Sequence, residues 1–209
     1  MAMRSALLLA TVVVPIYTAL LHAWIYAQRR REIAHLWLAI SALGVAGMAA
    51  SVIARAAAAT TADALAWQSA QMACGAVLSM GFVRWAHAAL RLHRPRLDRA
   101  VDAFVVLNCV GLLTHSIFSD EFVMRPAFGR DGLVAQALLT PFGTAIVLIF
   151  AGLTLYLGFE LGRAARRRSE ERSLFAAYCA FAVTLLNDIA VGAGLIHGAE
   201  LLPLGYLMM

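Results

Sequence analysis

Apolar residues run along this chain in long unbroken blocks, and polar residues gather in the short gaps between them. Six blocks have roughly the 20 residues that an α-helix needs to cross the hydrocarbon core of a bilayer. They cover residues 6–27, 33–53, 65–90, 101–118, 138–161 and 174–196. A seventh opens at Leu201 with "LLPLGYLMM" and ends at Met209. The pattern predicts an all-α membrane protein, a seven-transmembrane-helix bundle whose seventh helix (201 to the end) is truncated. A longer protein, continuing beyond residue 209, is expected. The first block reads as a genuine helix and not a cleaved leader, because its run is long and its arginines (Arg29, Arg30, Arg31) follow it.

The gaps set the orientation. The first, third and fifth are rich in arginine (29–31; 91, 94, 96 and 99; 163, 166, 167, 168 and 172), whereas "AAATTADA", "SDEFVMRPAFGRDG" and "HGAE" are not. The positive-inside rule then places the N-terminus outside and the C-terminal end in the cytoplasm, in a multi-pass membrane protein.

Composition sharpens this picture. The chain of 209 residues is 62% apolar and 14% charged, with a mean hydropathy of +0.78, where soluble domains carry about 25% charged residues. All 17 basic residues are arginine. Without lysine there can be no retinal Schiff base, which excludes a retinal-binding seven-helix protein. The net charge of +5 resides in short loops between apolar blocks, so no nucleic-acid partner is implied. Cys74, Cys109 and Cys179 all lie inside apolar blocks, which suggests neither disulfides nor a zinc site. No glycine-rich phosphate loop, metal-ligand spacing or nucleophile with an adjacent base is present, so the chain is not expected to be an enzyme or to hold a cofactor.

Polar residues inside the blocks carry the candidate chemistry. Asp188, beside Asn187, is too deep and too short to reach an interface; at about 1.5 Å per residue it lies roughly 12 Å below the outer edge. Such a residue is functional by default. Gln68 and Gln71 share a face three residues apart, and Arg55, Asn108, Thr114, His115 and Thr140 complete an outer-half set. Gln68, Gln71 and Thr140 are equally suited to simple hydrogen bonding between helices. An inner-half set comprises His22, Arg84, His87 and Glu160, with Glu160 free to pair with Arg84 or His87 or to extend to the interface.

The stretch "LLNDIAVGAGLIHGAELLPLG" resembles the sixth-to-seventh-helix signature of the bacterial seven-transmembrane receptors with diverse intracellular signalling modules. The matching residues are Asn187, Asp188, Leu202, Pro203, Leu204 and Gly205. "YTALLHAWIYAQRRREIAHLWLAISALG" is similar to that family's first two helices and the turn between them. The resemblance implies a sensor coupled to a kinase- or cyclase-type module, and homodimerisation through that module. Many members carry an extracellular ligand-binding domain before the first helix, where this chain has only "MAMRS". An unknown small ligand or membrane cue would then act in an outer-half cavity lined by Asn187, Asp188, His115, Gln71, Gln68, Arg55 and Asn108. Pro203, Gly205, Arg84, His87 and Glu160 would transmit the signal. Two alternatives stand beside this reading: a haem held by His22 and His87, and a proton-coupled transporter relaying through Asp188 and Glu160.

Overall fold

The computed structural model describes residues 2–126, 133–169 and 172–192. It is mostly helical: α1 (Ala2–Gln28), α2 (Ile33–Ala56), α3 (Thr61–Ala89), α4 (Pro95–Leu113), α5 (Pro141–Arg167) and α6 (Arg172–Gly192). Among the described residues four stretches are long and apolar enough to cross a membrane: Leu9–Gln28, Ile33–Ala56, Pro141–Arg167 and Arg172–Val191. The proposed seventh helix, with Pro203 and Gly205, lies outside the described residues.

The 29-residue α3 is long enough to cross but less apolar, and its position explains why. It packs against α2, α4, α5 and the strand Leu133–Leu139, so its polar groups are answered by protein and not by lipid. α4 opens with Pro95 at its first turn and keeps Asp98 and Asp102 within the helix, so its apolar part begins only at Val101.

Close backbone approach joins α2 to α3, the most extensive helix–helix interface. A Cβ built on Gly44 would stand 2.7 Å from the Leu78 amide nitrogen, and one on Gly81 would stand 2.8 Å from that of Ser41. Small residues permit this approach, and in lipid it replaces the hydrophobic drive that holds helices together in water. The small hydroxyls near this seam are satisfied within their own helices: Ser41 donates to Trp37 O (2.8 Å), Ser51 to Gly47 O (2.7 Å) and Ser79 to Gly75 O (2.9 Å). Farther across, the Phe82 ring stacks on Trp85 and on Tyr178 of α6, with centroids 4.9 and 5.6 Å apart. The Tyr178 hydroxyl donates to the Thr154 carbonyl of α5.

The sequence expectation of an all-α chain needs one correction. Between α4 and α5 an antiparallel hairpin pairs β1 (Phe118–Pro126) with β2 (Leu133–Leu139), the register running from Phe122 opposite Ala137 to Pro126 opposite Leu133. The apolar run at 133–139 therefore does not begin the fifth helix. Thr140 caps that helix, its hydroxyl accepting from Gly143 N at 3.0 Å, and Pro141 takes the first turn, where its missing N–H costs nothing. The expected helix start at 138 thus moves to Pro141, and Pro141-Phe142-Gly143 opens the helix without interrupting it. Gly143 is needed here, because a Cβ would lie 2.1 Å from the Ile117 carbonyl oxygen.

α3 and α4 end in the same way. His115 (φ 54°) and Arg91 (φ 54°) take the left-handed position just past each helix. Ser116 N donates to Gly111 O (2.9 Å) and His115 N to Leu112 O (3.2 Å); Leu92 N donates to His87 O (2.8 Å) and Arg91 N to Ala88 O (3.3 Å). This is the Schellman arrangement, usually occupied by glycine. A side chain held at positive φ costs about 1–2 kcal/mol, part of which glycine's greater freedom in the unfolded chain gives back. His115→Gly should therefore stabilise the protein by about 0.5–1 kcal/mol, read as a rise in melting temperature in detergent. A lowered melting temperature would show that the imidazole contributes more than a cap.

Candidate functional site

The polar residues of the bundle separate into two groups, one at the hairpin end and one at the arginine-rich end. At the hairpin end the expected cavity set disperses into structural roles. Gln68, 5% exposed, donates from Nε2 to Ala137 O (3.0 Å) and accepts at Oε1 from Ala137 N (2.9 Å). Both groups of one residue on a strand point to the same side, so the Gln68 amide occupies the edge of β2 away from β1 as a third strand would. Asn108, 1% exposed, donates to Met72 O at 3.1 Å and so ties α4 to α3. The Thr140 backbone N–H donates to Ile117 O at 3.0 Å, closing the link between hairpin and helix.

Gln71 is half-buried on α3, and Arg55 is buried in the last turn of α2, not exposed at a free helix end. His115 is exposed in its turn, at the left-handed position just past the α4 helix. Asn187 donates from Nδ2 to Asp188 Oδ1 at 3.0 Å, so the two polar residues of α6 answer each other at least in part.

At the other end, residues from three helices converge. Arg84 of α3 pairs with Asp102 of α4, and its guanidinium lies 4.7 Å from the centre of the Trp37 ring, within cation–π range. One turn on, the buried His87 bridges two helices: Nδ1 lies 3.0 Å from Asp98 Oδ1 of α4, and Nε2 lies 3.2 Å from the Tyr156 hydroxyl of α5. A carboxylate can only accept, so Nδ1 carries the proton, and in the neutral ring Nε2 accepts from the phenol. Glu160, one turn beyond Tyr156 and 8% exposed, faces Arg94 at 3.9 Å.

These partners correct the sequence expectation for Glu160. Arg84 and His87 are matched by aspartates of α4, and Glu160 is matched by the turn arginine. The i, i+3 pair Arg84/His87 faces the i, i+4 pair Asp98/Asp102 across a short turn, and that spacing is readable in "RWAHAALRLHRPRLDRAVDAF" once the helix is started at Pro95.

The haem alternative fits these residues poorly. Both ring nitrogens of His87 are engaged, and His22 has a different partner: its Nδ1 lies 2.8 Å from His35 Nδ1, with the rings stacked at 5.0 Å. His35 Nε2 in turn lies 3.2 Å from Glu32. Among the described residues no three His, Cys, Asp or Glu side chains are grouped to hold a metal ion. A cavity of about 210 Å³ lies beside the arginine-rich cluster, lined by Arg94, Glu160, Arg163, Arg167, Arg168 and neighbouring apolar side chains. No family model matches the chain, and no curated protein or solved structure compared with it matches either.

Proposed function

We propose that this chain is the membrane-embedded sensory domain of a bacterial receptor, a seven-helix bundle of the inner membrane with its N-terminus outside and its arginine-rich end in the cytoplasm. The observation that carries the reading is the placement of α3. One continuous helix holds the hairpin at Gln68 and, about 28 Å away at 1.5 Å per residue, holds the network of ion pairs and hydrogen bonds at Arg84 and His87. A small ligand or membrane cue acting on the hairpin end would bias one of two packings of α3. Arg84 and His87 would exchange or loosen partners on α4 and α5, and the seventh helix, entered through Pro203 and Gly205, would carry the displacement to a kinase- or cyclase-type module, most simply in a homodimer. Asn187 and Asp188, on the helix that leads into that segment, belong to this path.

A double-mutant cycle tests the coupling. Gln68→Met and His87→Leu remove the two ends separately and together. Sites this far apart normally add to within about 0.3–0.5 kcal/mol. A coupling above about 1 kcal/mol in stability is expected if α3 moves as a two-state element, and simple additivity would remove the transmission path.

One observation favours a second reading. His87 lies between a carboxylate and a phenol, an arrangement through which a proton can pass. Proton flux into liposomes that vanished with His87→Leu would favour proton-coupled transport over signalling.

A further inference from the structure

The cavity at the arginine-rich end has a composition of its own. Arg94 reaches it from the turn before α4, Arg163 and Arg167 reach it from one face of α5, and Arg168 reaches it from the α5 C-cap, while Leu90 and Leu92 form an apolar side. Among the described residues only Arg94 of these four faces a carboxylate, Glu160 at 3.9 Å, the outer limit of an ion pair. Among the described residues Arg163, Arg167 and Arg168 have no carboxylate partner; Arg163 instead lies 5.6 Å from the Phe159 ring centre. Glu170 and Glu171 follow along the chain, outside the described residues. Four guanidinium groups therefore meet one buried carboxylate around one cavity.

Part of this charge complements the carbonyl end of α5, but a helix terminus carries only about half an elementary charge. The remainder calls for an anion. Guanidinium forks match the oxygens of phosphate in bidentate pairs, and several forks suit an anion with several oxygens. About 210 Å³ is below the roughly 300–1,000 Å³ of sites for drug-sized ligands. It suits a phosphate ester and the first carbons attached to it, which Leu90 and Leu92 are placed to contact.

We infer that this cavity binds a phosphate ester, either the headgroup of an anionic phospholipid or a small phosphorylated solute. The inference requires only that this end of the bundle lies at a membrane interface, and it holds or fails independently of the signalling role.

The full chain in phosphatidylcholine nanodiscs provides the test. In one arm phosphatidylglycerol is doped into the disc and its retention is counted by native mass spectrometry. In the other arm glycerol 3-phosphate and inorganic phosphate are titrated and the thermal shift is read. Arg163→Gln/Arg167→Gln alters the cavity, whereas Arg30→Gln/Arg31→Gln removes the same charge from an exposed turn elsewhere. An arginine near an anionic surface is worth about 1 kcal/mol, roughly fivefold, so the cavity variant should bind roughly 25-fold more weakly and the control within about twofold of the parent. Such a loss for phosphatidylglycerol identifies a lipid site. The same loss for glycerol 3-phosphate, with retention of phosphatidylglycerol unchanged, identifies a soluble phosphate ester. Equal losses in both variants, or binding of neither anion, would overturn the inference.

Discussion

Gly44→Ala is expected to lower the stability of the protein by about 3 kcal/mol, the upper part of the range for overpacking a tight interface. The added Cβ would stand 2.7 Å from the Leu78 nitrogen and 2.9 Å from its Cα. Both are backbone atoms, so no side chain can swing aside and the two helices must separate. Separation also loosens the close approach at Gly81, one step along the same seam. Gly152→Ala is the matched control, because a Cβ there meets nothing within 4 Å. Alanine's better helix propensity should make that variant neutral or more stable by up to about 1 kcal/mol. Unfolding of both variants in mixed detergent measures the difference. Equal behaviour at the two positions would mean that the α2–α3 seam yields and is not the rigid centre of the bundle.

Gln68→Met should produce the second large effect. Methionine keeps the length and fills the space, but it leaves the N–H and C=O of Ala137 without partners. Ala137 is 1% exposed, so water cannot replace the lost bonds while the hairpin stays in place. Two unanswered backbone groups cost about 1–3 kcal/mol each, and the cheaper response is for the hairpin to lift from α3. Amide hydrogen exchange across Leu133–Leu139 is then expected to accelerate at least thirtyfold, the equivalent of about 2 kcal/mol, with less change in the protection of α2. Unchanged exchange at Ala137 would show that the hairpin is held by something other than the Gln68 amide.

Hydropathy blocks mark where helices lie, because lipid-length apolar runs have few other uses. They mark boundaries poorly wherever a helix starts with charge or a strand is as apolar as a helix. The fourth block begins at Val101, so Asp98 reads as loop, although Pro95 at a first turn signals the true start. Leu138 and Leu139 read as the opening of a helix, although Thr140 followed by Pro141 marks a capped start. The candidate sites fared unevenly for a related reason. Arg84 and His87 share a face by spacing alone and do meet ionic partners, but the identity of those partners depends on how α3 and α4 slide against each other, which no local pattern records. His115 reads as a residue of the bundle because the block includes it, and the left-handed turn that removes it is written in no preferred residue type. Gln68 reads as hydrogen-bonding glue and is so, with a strand in place of a helix as its partner.

Most of the packing in this fold is between neighbours in sequence: α1 with α2, α2 with α3, α3 with α4, α5 with α6. The exceptions are made by α3, where Gln68 reaches Ala137 and His87 reaches Tyr156, each across 69 residues, and where Phe82 stacks on Tyr178 of α6 between them. A chain delivered to the membrane one helix after another can therefore seat each new segment on the one just made, with little entropy of loop closure to overcome. The glutamine clasp can close only once β2 has emerged, and the histidine clasp only once α5 has. The third helix would wait with its glutamine unanswered and its histidine held by α4 alone, and the arrival of the hairpin and then of the fifth helix would turn a row of paired helices into a closed assembly.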